Sequence, residues 1–144
     1  MKNATKLLTG FATILAIGLP LLTLAAGGFS ISRIAVTFDE KQPPLIVERN
    51  GDVNVQAEIS FSGNGLVKGA WEVAGPNPES TNPQFRTLMN VNQYLVGKDT
   101  GIIKGPKLPT ESTGPYIVRL RVIDPAPPFE TPVATYNVVE SRKK

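Results

Sequence analysis

The chain contains no cysteine and no histidine. Without cysteine it can form no disulfide, no thiolate metal site and no sulfur nucleophile. Without histidine it lacks the side chain most used to move protons near neutral pH and most used to hold transition metals. Most hydrolase and metalloenzyme schemes therefore lose their central part. Aromatics are scarce, at 7% of residues with a single tryptophan. Charge of one sign is scarce too. The formal net charge is +3, but Lys2 and Lys6 belong to the N-terminal segment, and the remaining 13 basic residues face 12 acidic ones. A nearly neutral body argues against nucleic acid as a partner.

What the chain does have is punctuation. Glycine and proline supply 13 residues each in a length of 144, a length that suits one domain. Such density favours short strands and tight turns over long helices.

The N-terminal segment reads separately. Lys2 and Lys6 precede an uncharged stretch rich in Leu, Ile and Ala from Leu7 to Ala26, and small residues Ala25 to Gly28 follow. This is the pattern of a secretory signal, with the lysines retained on the cytoplasmic side and the remainder delivered across the membrane. The stretch also reaches the ~20 apolar residues that span a bilayer. Residues 1–28 are therefore either a cleaved signal, cut near Ala25-x-Gly27 or Thr23-x-Ala25, or an uncleaved N-terminal transmembrane helix. Residues 29–140 form the expected domain, and 141–144, "SRKK", a basic tail.

After residue 28 the hydrophobic period is two. In "DVNVQAEISF" the residues Val53, Val55, Ala57, Ile59 and Phe61 share one face while Asp52, Asn54, Gln56, Glu58 and Ser60 share the other. "YIVRLRVID" alternates in the same way, with Tyr116, Val118, Leu120 and Val122 opposite Arg119 and Arg121. Strict alternation marks a strand with one face in a core. "FSISRIAVTF" alternates with one slip near Arg33, which predicts a bulge or a bend where the strand changes sheets. Further strands are expected at Leu45–Arg49, Val67–Val73, Leu88–Val96, Ile102–Lys104 and Val133–Val139. Between them lie Pro43-Pro44, Asn50-Gly51, Gly63-Asn64-Gly65, Gly75-Pro76, Gly105-Pro106, Gly114-Pro115 and Pro125–Pro128, all turn chemistry. About seven or eight strands spaced this way predict an all-β antiparallel sandwich or barrel.

Trp71 on the strand after the first strongly alternating one, and "Gly114-Pro115-Tyr116-Ile117-Val118-Arg119-Leu120", resemble the immunoglobulin-like or fibronectin type III-like modules of bacterial envelope proteins. The resemblance covers residues 29–140 and implies a single immunoglobulin-like β-sandwich. It also implies that Tyr116 occupies a tyrosine corner, its hydroxyl bonded back to nearby backbone. The cysteine pair of antibody domains is absent. A second resemblance lies in the leader, where Thr9-Gly10-Phe11 is similar to the processing junction of type IV pilin-like proteins. Leu15 stands where that family carries glutamate, and the following domain opens on a strand.

Two readings of Trp71 compete: a core residue in phase with Val73, or an exposed platform for a sugar. No second aromatic lies near it in sequence, which favours the core. The expected core comprises Trp71, Tyr116, Val55, Ile59, Phe61, Val118 and Leu120. Arg119 and Arg121 are expected to point outward; with Arg33, Lys68 or Glu72 they form either a solvated face of weak cross-strand ion pairs, the favoured reading, or a charged interface patch. Glu58 and Glu72 are expected outward on adjacent strands. "PPLIVE", with Ile46 and Val47, reads as an edge strand, either an ordinary edge of the monomer, the favoured reading, or one open to another chain. Loop carboxylates Asp39, Glu40, Asp52, Asp99, Asp124 and Glu130 raise the question of calcium, but no dense acidic run supports it. No catalytic, cofactor or metal residue is assigned.

The expected function is therefore a non-catalytic interaction or structural module on the periplasmic or extracellular side of the cytoplasmic membrane. Residues 7–26, if uncleaved, would tether it there as a small accessory subunit whose partners are proteins of an envelope complex. The alternatives are a secreted carbohydrate- or surface-polymer-binding module, using loops Gly75–Gln84 or Gly97–Pro109, and a pilin-like filament subunit.

Overall fold

A computed structural model describes residues 28–39, 41–97 and 99–142. The signal or anchor segment therefore lies outside the described residues, as do Glu40 and the last two lysines. Among the described residues there is no helix. The chain forms eight strands: β1 (Ser30–Phe38), β2 (Leu45–Glu48), β3 (Asn54–Ser62), β4 (Gly65–Ala74), β5 (Arg86–Leu95), β6 (Thr100–Lys107), β7 (Gly114–Asp124) and β8 (Ala134–Val139).

The strands make two sheets. One has the order β1-β3-β6 and the other β2-β8-β7-β4-β5. Every pair is antiparallel except β2 with β8. The period-two apolar faces of both sheets supply one buried cluster, from Ile31, Ile34 and Phe38 of β1 through Trp71 of β4 to Tyr136 and Val138 of β8. The Trp71 indole N–H donates to the carbonyl of Lys104 at 3.2 Å, so a β4 side chain is bonded to the β6 backbone of the other sheet.

The slip near Arg33 is a bulge. Ile31 pairs with Phe61 and Arg33 with Ser60, so one extra residue enters β1. It is not a sheet change, because β1 pairs with β3 on both sides of it. The transfer comes later, where β2 joins the five-stranded sheet beside β8. Two more bulges flank the middle of β4: Leu88 is the extra residue on β5 and Ile123 the extra residue on β7.

The largest departure from the expected boundaries is β6. It runs Thr100–Lys107 and absorbs most of the stretch Gly97–Pro109 that reads as a binding loop in sequence. The turn after β2 follows its chemistry. Asn50 adopts a φ of 65°, a left-handed conformation that asparagine tolerates, and the Gly51 N–H closes on the Glu48 carbonyl at 2.8 Å.

Candidate functional site

Trp71 has no exposed surface. Its ring needs the absence of a side chain at Gly105, where a Cβ would come within 2.8 Å of the indole Cε2 and 2.5 Å of a Val55 methyl. The only tryptophan is therefore an interior residue, and the sugar-platform reading of it does not hold. Val55, Ile59, Phe61, Val118 and Leu120 are buried in the same core cluster.

Tyr116 is also buried, and its hydroxyl donates to the Ser112 carbonyl at 2.9 Å. Its ring stacks on Tyr136 with centroids 4.8 Å apart and planes 3° from parallel. Tyr136 donates its own hydroxyl to the Pro109 carbonyl at 2.9 Å. Burial, chiefly, and then the neighbouring Tyr116 and Glu111 push the Tyr136 phenol well above its ordinary range, against a small opposite pull from Arg86. The stack was not legible in sequence because the two tyrosines meet only through the β7–β8 register.

On the outer face of the five-stranded sheet the expected patch takes a different form. Glu72 is buried, not outward in solvent. Arg119 places Nε and a terminal guanidinium nitrogen on one carboxylate oxygen at 2.8 Å, and the Arg121 Nε donates to the other at 2.9 Å. The Arg119 guanidinium lies 3.7 Å over the Phe85 ring, a cation–π contact. The alternation correctly gave Glu72 the face opposite Trp71. It carried no sign that two arginines of β7 and a loop phenylalanine would cover that face.

Arg33 does not join this cluster. It lies on β1, in the other sheet, and pairs with Glu58 at 3.2 Å in an exposed ion pair. Glu58 and Glu72 are likewise not on neighbouring strands, since β3 and β4, consecutive in sequence, belong to different sheets. The carboxylate pair that would suggest glycoside hydrolysis is not formed. Lys68 pairs in register with Asp124, four residues along β4 from Glu72.

β2 is an edge of the five-stranded sheet, with β8 on one side only. Ile46 is 71% exposed, while Val47 is half-buried against the core. Among the described residues no three acidic side chains gather as a metal site. Asp52 contacts Lys107, and Asp39 accepts the Asn54 N–H. One concavity, about 430 Å³, lies beside the Asn50–Asp52 turn and the Lys107–Glu111 connection. Another, about 230 Å³, lies in the loop Gly75–Gln84. Neither contains an activated nucleophile–base pair. Tyr94, at 64% exposure, is the one tyrosine presented to solvent.

The chain matches no family model and no curated protein.

Proposed function

We propose that the chain is a non-catalytic, immunoglobulin-like interaction module that works outside the cytoplasmic membrane. In this reading residues 7–26 hold it at the membrane, and it serves as a small accessory subunit of an envelope complex. The two-sheet strand order, with β2 running parallel to β8, and the Tyr116 hydroxyl returning to the Ser112 carbonyl are what a sandwich of that class would contain. The observation that carries the interaction reading is the open β2 edge with Ile46 largely in solvent. A sheet edge offers unpaired backbone groups, and an apolar side chain beside them adds specificity.

The test is co-purification of the full chain from membranes under mild detergent, with Ile46→Asp as the comparison. A defined partner should accompany the wild-type chain in fixed ratio and drop at least tenfold with the variant, while the variant's melting temperature stays unchanged. A wild-type chain recovered only as a lone monomer would sink the proposal.

A further inference from the structure

Eight large hydrophobic side chains are exposed among the described residues: Ile46, Leu66, Met89, Tyr94, Val96, Ile102, Ile123 and Val133. The pairing registers bring Leu66, Tyr94 and Val96 together at one end of the fold, whereas Ile102 stands opposite Glu58 in the middle of β3 and Val133 precedes Ala134, which pairs with Val118 in the middle of β7. Leu66 pairs with Tyr94 near the start of β4 and the end of β5. Val96 follows directly, and β6 starts beside the end of β3 through Ser60 and Thr100. Ile123 lies further in, at the bulge opposite Lys68 and Gly69, and the β7–β8 connection starts from this side of the fold because Asp124 pairs with Lys68.

The chain also leaves the fold at this end. Ser30 pairs with Ser62, and Gly28 lies against the β3–β4 turn, where a Cβ on Gly63 would come within 2.8 Å of the Gly28 carbonyl oxygen. That turn is bonded in turn to the β5–β6 connection, the Gly97 N–H donating to the Asn64 side chain at 2.9 Å. The exit is pinned. Phe29 packs on Gly65, where any Cβ would overlap its ring, and meets Phe61 edge-on with centroids 5.8 Å apart.

Upstream of Gly28 the sequence leaves almost no linker, since the apolar stretch ends at Ala26. Two residues of extended chain reach at most about 7 Å. If that stretch spans the bilayer, the end of the fold bearing Leu66, Tyr94 and Val96 must meet the lipid surface.

We propose that this end is a membrane-contacting face. Tyr94 and Val96, with Leu66 beside them, seat in the headgroup region and set the domain upright on the bilayer. The occupant is a lipid surface because chain continuity delivers the face to one and because an aromatic with a polar tip beside aliphatic residues suits that interface. The inference rests on the anchor reading given under the proposed function.

The absence of cysteine makes the test direct. Full-length Val96→Cys and, separately, Tyr94→Cys carry an environment-sensitive fluorophore in phosphatidylcholine–phosphatidylglycerol nanodiscs. Ser80→Cys in the Gly75–Gln84 loop is the control. Intact mass of the chain recovered from membranes is measured alongside. The labels at 94 and 96 should emit to the blue of the control and be quenched several-fold more by lipids carrying shallow nitroxides. Equal solvent exposure at all three sites in a chain of full mass overturns the membrane face while leaving the anchor intact. Blue emission without lipid quenching also overturns it, since protein would then be the cover. A mature chain beginning near Gly28 overturns the anchor reading itself, and this inference with it.

Discussion

Gly105 and Trp71 determine each other. The indole occupies the space a side chain at 105 would need, and its N–H is satisfied by the carbonyl one residue earlier. Gly105→Ala should therefore behave as an overpacked core variant, losing about 1–3 kcal/mol. Chemical denaturation followed by tryptophan fluorescence would read this as a lower midpoint at unchanged slope. An unchanged midpoint would mean that Val55 and Trp71 relax more freely than their packing indicates. Tyr136 sets a different limit. Its phenol is held neutral in the fold by burial and by Tyr116, whereas an unfolded tyrosine ionises near pH 10. Above that value the unfolded chain loses a proton that the folded chain keeps, so stability falls as pH rises. Below it both states are protonated and this group contributes no slope. The melting temperature should be insensitive to Tyr136 ionisation from neutrality to about pH 9 and fall beyond about pH 10. Tyr136→Phe should flatten the alkaline fall. An equally steep fall in that variant would assign it to other groups.

The β4–β7 pair carries the clearest electrostatic element of the fold. Glu72 is nearly solvent-free, while Arg119 and Arg121 keep 26% and 43% of their side-chain surface in water. Removing Arg119 leaves a buried carboxylate with one oxygen unpaired and Arg121 on the other, whereas removing the carboxylate leaves cations that still reach solvent. Arg119→Ala should cost about 2–4 kcal/mol, the lower part of the range for a broken buried pair and discounted for its partial exposure. The Glu72→Ala, Arg119→Ala double variant should lose clearly less than the sum of the singles, because no buried carboxylate is then left short of a partner and the remaining Arg121 reaches solvent. A double-mutant cycle by urea denaturation measures it, and strict additivity would show that the two side chains do not depend on each other. The strands themselves were legible, because alternation reports which face of a ribbon is greasy. Which ribbon lies beside which was not. β3 and β4 look like a hairpin across Gly63-Asn64 yet enter different sheets, which is why Arg33 and Glu58 fell into the wrong neighbourhood. Periodicity also passed over Phe85, a loop residue whose role depends on an arginine 34 positions away in sequence.

For the molecule as a whole, the sequence indicated a β-rich body behind an apolar leader, and eight strands in two sheets are what the described residues contain. The exposed apolar group of Leu66, Tyr94 and Val96 could not be read beforehand, since Leu66 comes from β4 and Tyr94 from β5 and the two are set side by side only through register. The wedge of Phe29 between Gly65 and Phe61 has a mechanical consequence. Phe61 belongs to the three-stranded sheet and Gly65 to the five-stranded one, so a pull on the departing chain is shared between both sheets through a single ring.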